Sequence, residues 1–74
     1  MRLCDFKKDS VVKVLRVNIK NEDIKRRLRE IGVAEGKNVR FIKRSILSKC
    51  VLVESMGSVF ILDKKISEGI DCYE

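Results

Sequence analysis

The chain contains no histidine among its 74 residues, and its three cysteines stand at positions 4, 50 and 72. A thiol nucleophile needs a base within hydrogen-bond reach, most often an imidazole, so Cys4, Cys50 and Cys72 have no evident partner for catalysis. An odd number of cysteines at wide spacing fits neither a disulfide framework nor a paired Cys-x-x-Cys metal site. Reduced, mostly buried thiols are therefore expected. Cys4 and Cys72 can approach if the chain ends pair, but two thiols leave a metal site incomplete. Gly32-x-x-x-Gly36 brackets a turn instead of opening a phosphate loop. No catalytic residue, cofactor-binding residue or metal ligand is assigned, and an enzymatic activity is not expected.

What remains to do chemistry is positive charge. Seventeen Lys and Arg against eleven Asp and Glu give a net charge of +6, which attracts nucleic acid, an anionic membrane surface or an acidic partner protein. Between Glu22 and Glu30 the excess is small, because Lys25, Arg26, Arg27 and Arg29 face Glu22, Asp23 and Glu30. Glu22 with Arg26 and Asp23 with Arg27 are spaced i,i+4, the acid first, a pairing worth roughly 0.2–0.5 kcal/mol each on a helix. The rest of the excess lies in Lys7-Lys8, in Lys43-Arg44 with Lys49, and in Lys64-Lys65. Such doublets ordinarily lie on solvated surface. Aromatic residues number only four, Phe6, Phe41, Phe60 and Tyr73, and a core of this size needs most of them.

The elements that carry these residues can be read from punctuation and period. Asn21 is placed to cap a helix, Glu22 and Asp23 put negative charge at its positive end, and Gly32 can take the left-handed conformation that stops it. Ile24, Leu28 and Ile31 then fall on one apolar face. Val11 to Ile19 is rich in β-branched residues, with Val12 and Val14 on one parity and Leu15, Val17 and Ile19 on the other, which predicts a strand with a bulge or strong bend. Val39–Lys43, Cys50–Glu54 and Val59–Leu62 read as further strands, the last two joined across Ser55-Met56-Gly57-Ser58 with Gly57 at positive φ. Lys64 to Glu68 suits one helical turn, and Ile70–Tyr73 a fifth strand.

Five short strands without long crossover helices imply antiparallel meander pairing. The expected fold is mainly β: a small SH3-like antiparallel barrel, closed so that no edge is exposed, with one short α-helix inserted between the first and second strands as a plug. Residues 1–74 are expected to form a single domain. No apolar run exceeds the four residues of Val59–Leu62, and the N-terminus lacks the pattern of a secretory signal, so a cytoplasmic protein without membrane insertion is expected.

Leu3-x-Asp5-Phe6, a strand, then Arg26-Arg27-Leu28-Arg29-Glu30-Ile31-Gly32-Val33-x-x-Gly36, followed by strand, loop, strand, Gly57 and strand, resembles the FeoA family of bacterial ferrous iron uptake. The resemblance runs from Leu3 to about Cys72 and is most specific at Arg27-Leu28-x-x-Ile31-Gly32-x-x-x-Gly36. It implies an SH3-like barrel with a helix insertion. It further implies a small accessory protein that binds and modulates a FeoB-type membrane ferrous iron transporter with a GTPase domain. Related domains end some metal-dependent repressors, and transition metal binding attaches to the family by that association alone.

For such an adaptor, the expected partner contacts are Arg27 and Arg29 on the helix with Lys43, Arg44, Ile46, Leu47 and Lys49 around the loop, where cations steer and the apolar pair anchors. Weak self-association is a further expectation. The alternative is a basic small-barrel nucleic-acid-binding module. Single-strand binders stack bases on exposed aromatic platforms, and the shortage of aromatic residues argues against one here.

Overall fold

The first strand bends because its apolar residues change sides. In a computed structural model, which describes residues 1–45, 47 and 49–74, β1 (Ser10–Val17) buries Val12 and Val14. Its pairing with β5 (Ile70–Tyr73) then shifts between Val14 and Arg16, which leaves Leu15 as the extra, exposed residue of a bulge. Beyond the bulge Val17 and Ile19 turn inward and pack on the core. The expected bulge lies where the parity changes, as inserting one residue requires.

A 3-10 turn at Leu3–Asp5 precedes β1, and α1 (Glu22–Glu30) follows it. After α1 come β2 (Asn38–Ser45), β3 (Cys50–Ser55), β4 (Ser58–Asp63), α2 (Lys64–Glu68) and β5. Asn21 caps α1, its side-chain oxygen accepting from the amides of Asp23 at 2.9 Å and Ile24 at 3.2 Å. The helix stops at Gly32 (φ +87°), where the Val33 amide reaches back 2.8 Å to the Leu28 carbonyl. Leu28 is buried, with Ile24 and Ile31 packed beside it. The ion pairs on its surface differ from the expected ones. Glu22 pairs with Lys25 at 4.0 Å and Asp23 with Arg26 at 3.4 Å, each at i,i+3, because both spacings bring side chains together on a helix and these rotamers choose the shorter.

The five strands form one antiparallel sheet in the order β4-β3-β2-β1-β5. This corrects the expected closed barrel: the sheet is curled but open, and β4 does not pair with β5. The N-terminus takes the place β4 would need. Arg2 forms a bridge with Asp71, and Met1 exchanges two backbone bonds with Cys72, at 2.7 and 2.9 Å. The one-turn α2 fills the remaining gap, with Ser67 fully buried and its hydroxyl donating to the Lys64 carbonyl at 2.7 Å. With no barrel to plug, α1 instead rests its C-terminal turn on Ser55 and Met56 at the β3–β4 turn.

That turn has positive φ at both central residues, Met56 (+54°) and Gly57 (+80°), the signature of a type I′ hairpin. The curled sheet, the 3-10 turn and the end of α1 enclose a core of Leu3, Phe6, Val12, Val14, Leu28, Val33, Phe41, Val51, Val53 and Ile70, among others. Among the described residues no helix is long and apolar enough to cross a membrane.

Candidate partner-binding surfaces

Counting outward from the Met56-Gly57 turn puts Lys49 across from Lys64, and the Lys64 amide donates to the Lys49 carbonyl at 3.1 Å. Asp63 holds the next turn of chain, its carboxylate accepting from the Lys65 amide at 2.8 Å to cap α2. The result is a cleft of about 650 Å³ between the end of β2, the β2–β3 loop and α2. Arg44, Lys49, Lys64 and Lys65 line it against two carboxylates, Asp63 and Glu68. Both carboxylates are already engaged, Asp63 as the cap and Glu68 with Arg2 at 3.6 Å. The cleft therefore presents net positive charge.

Arg44 and Lys43 are neighbours in sequence but point to opposite faces of the sheet. Lys43 lies opposite Leu52, which lies opposite Ile61, so all three share the outer face. Arg44 lies in the row of buried Val51 and Leu62, and its guanidinium Nη1 donates to the Cys4 carbonyl. Arg44 thus ties the 3-10 turn to β2 at the mouth of the cleft. Leu47 is 99% exposed in the same loop as Lys49. Ile46, expected to join it, lies outside the described residues, as does Ser48.

Arg27 and Arg29 lie elsewhere. Both are exposed on α1 and form no ion pair among the described residues. Arg29 lines a separate cleft of about 310 Å³ with Lys25, Val17, Val33, Ala34 and Glu35. The end of α1 rests at the Ser55 end of β3, whereas Lys49 and Cys50 lie at its other end, a separation of about 17–20 Å for a strand of this length. The expected patch is thus two patches. Lys64 and Lys65, which the sequence offered only as a surface doublet, join Lys49 instead. The hairpin register was the signal that could have placed them there.

The thiols are dispersed as well. Cys4 and Cys72 are buried, Cys50 is half-buried beside the cleft, and all three are free. Burial pushes the Cys72 thiol up to about 11, with the Asp71 carboxylate adding to the shift and the N-terminal ammonium opposing it. The Arg2 guanidinium, 2.9 Å away, holds the Asp5 carboxyl below its ordinary value. Among the described residues no three Cys, Asp or Glu side chains converge as metal ligands do.

Three comparisons bear on identity. No curated protein matches the chain. Among solved structures, the NMR structure of the FeoA protein from Chlorobium tepidum aligns with a TM-score of 0.87 at 22% identity, over 99% of this chain and 69% of that one. A FeoA-like protein from Clostridium acetobutylicum aligns with a TM-score of 0.80 at 16% identity, over 99% and 84%. The repressor ScaR with bound Zn²⁺ aligns with a TM-score of 0.85 at 24% identity, over all of this chain but 36% of ScaR. At these identities the likeness is one of fold, a small SH3-like β structure. A family model for the FeoA domain matches residues 1–73, and the chain belongs to the FeoA family, which supports a role in ferrous iron transport systems.

Proposed function

We propose that this chain is an accessory protein, without catalysis of its own, that binds the cytosolic face of a FeoB-type ferrous iron transporter and modulates its GTPase-linked transport. Family membership over residues 1–73 sets the system. The observation that carries the binding role is the basic cleft of Lys49, Lys64 and Lys65, whose neighbouring carboxylates are occupied within the fold, with Leu47 fully exposed in the same loop. Cations around an exposed apolar side chain suit an acidic protein surface: charge speeds the encounter and the leucine supplies a desolvated anchor. The protein works in the cytoplasm on this reading, as one domain recruited to the membrane by its partner.

The nucleic-acid alternative is poorly supported. Phe6 and Phe41 are buried, Phe60 is half-buried, and Tyr73 is the one exposed ring among the described residues, too few to stack successive bases. Capture of the purified chain by its host's whole transporter, with an oligonucleotide pool as competitor and salt varied, tests the proposal. Saturable capture that the oligonucleotide does not displace supports it. Salt-sensitive oligonucleotide binding without transporter capture overturns it.

A further inference from the structure

The two edges of the sheet are treated differently. The outer side of β5 is covered by the chain's own N-terminus, through the Arg2–Asp71 bridge and the Met1–Cys72 bonds. Nothing among the described residues covers the outer side of β4. Ser55 and Ser58 close a two-residue turn, so they form a hydrogen-bonded pair, and bonded pairs then recur at every second residue of β4. The Lys64–Lys49 bond keeps that parity. The amides and carbonyls of Ser58, Phe60 and Leu62 therefore point to β3, and those of Val59 and Ile61 point out of the sheet.

The side chains of Val59 and Ile61 are also exposed, by 54% and 71%. Natural edge strands are protected by a lysine, a proline, a bulge or a cover. β4 has none of these: its six pairs with β3 run without a register shift, and its one charge, Asp63, stands at its end. The chain thus seals one edge and leaves the other regular, apolar and unpaired.

We propose that β4 pairs antiparallel with β4 of a second copy of this chain, across a two-fold axis between the two Phe60 residues, with Val59 of each copy opposite Ile61 of the other. The two Val59–Ile61 pairs each exchange two main-chain hydrogen bonds, and the five-stranded sheets become one continuous sheet. A second copy fits because the edge is self-complementary in this register. All four apolar side chains meet on the outer face, extended by Leu52, which pairs with Ile61 on the inner side of the edge. Asp63 falls opposite Gly57 and Lys64 opposite Met56, so the lysines of the two copies sit at opposite ends of the pairing. Such an isologous interface is small, below the ~1,000 Å² of a stable complex, so the association is weak and concentration-dependent. The net charge of +6 on each copy opposes it. Added salt therefore strengthens it, the reverse of a charge-driven complex.

The test is independent of what the basic cleft binds. Sedimentation of the full chain from about 10 µM to about 1 mM, at low and at high salt, is combined with amide exchange read residue by residue. The expected result is an apparent mass that doubles from 8.6 kDa with concentration, more readily in high salt. Val59 and Ile61 amides should slow by about tenfold or more over the same range, while Phe60 and Leu62, already bonded to β3, change little. Ile61→Lys should abolish both effects, and Leu15→Lys, at an exposed site on β1, neither. A chain that stays monomeric with fast Val59 and Ile61 exchange throughout overturns the proposal. So does a dimer that leaves those two amides unprotected, or protection that appears only when another protein supplies an extended strand.

Discussion

Gly32 lies so close to Ser55 that a Cβ built on it would stand 2.5 Å from the Ser55 hydroxyl oxygen, and 2.8 Å from the Met56 side chain. This contact joins the end of α1 to the β3–β4 turn, and the left-handed backbone at Gly32 makes it available. Gly32→Ala should destabilise the fold by about 2–4 kcal/mol, from backbone strain and overpacking together. The Ser55 hydroxyl is buried without a hydrogen-bond partner among the described residues. Ser55→Ala should then be neutral or mildly stabilising, and should recover part of the loss in a Gly32→Ala background. Denaturant unfolding of the four proteins measures both effects.

Asn21 accepts from two amides at the start of α1. Asn21→Ala should cost about 1 kcal/mol, a fall in Tm of about 4–8 °C for a domain of this size. Asn21→Asp, which keeps the acceptor and adds favourable charge at the helix start, should restore most of it. Thermal unfolding followed by circular dichroism reads the series.

The Cys72 thiol titrates at about 11 in the folded chain because it is buried. The folded state then holds this proton where the unfolded state releases it, so the contribution is complete below the unfolded thiol value near 9 and is lost as pH rises toward about 11. Between those values the chain should lose stability faster than its Cys72→Ala variant. The two proteins differ in that one side chain alone, so the difference isolates the thiol. At neutral pH an alkylating reagent should modify Cys50, half-buried at the cleft, well before Cys4 or Cys72.

Lys49 and Lys64 face the same cleft, whereas Arg27 and Arg29 sit on α1 at the far end of β3. If the cleft binds the transporter, Lys49→Glu with Lys64→Glu should weaken capture by about tenfold or more. Arg27→Glu with Arg29→Glu should change it by about twofold or less. Titration of each variant against the immobilised transporter decides between the two patches, and the reverse order would move the site to α1.

Local chemistry was legible where a residue needs only its sequence neighbours. The Asn21 cap, the Gly32 stop, the α2 turn and the parity change at Leu15 follow from hydrogen bonding and steric rules that act within a few residues. Met56 was harder to read, because a methionine at positive φ is forced by the hairpin twist and not by its own preference. The candidate site was legible as residue types and not as a place. Lys49 belonged to it, but Lys64 and Lys65 arrive through the β3–β4 register, and the Lys43-Arg44 doublet divides between two faces of one strand.

The amino-acid sequence by itself determined the elements, their order, and the family whose pattern of helix and glycines it carries, because caps, turns and periodicity are properties of short segments. Only the tertiary structure decided that the sheet stays open. Whether β4 or the N-terminus occupies the outer edge of β5 is settled by contacts between the two ends of the chain, the bonds of Met1 with Cys72, 71 residues away, and the bridge of Arg2 with Asp71. That outcome leaves Val59 and Ile61 unpaired at the other edge.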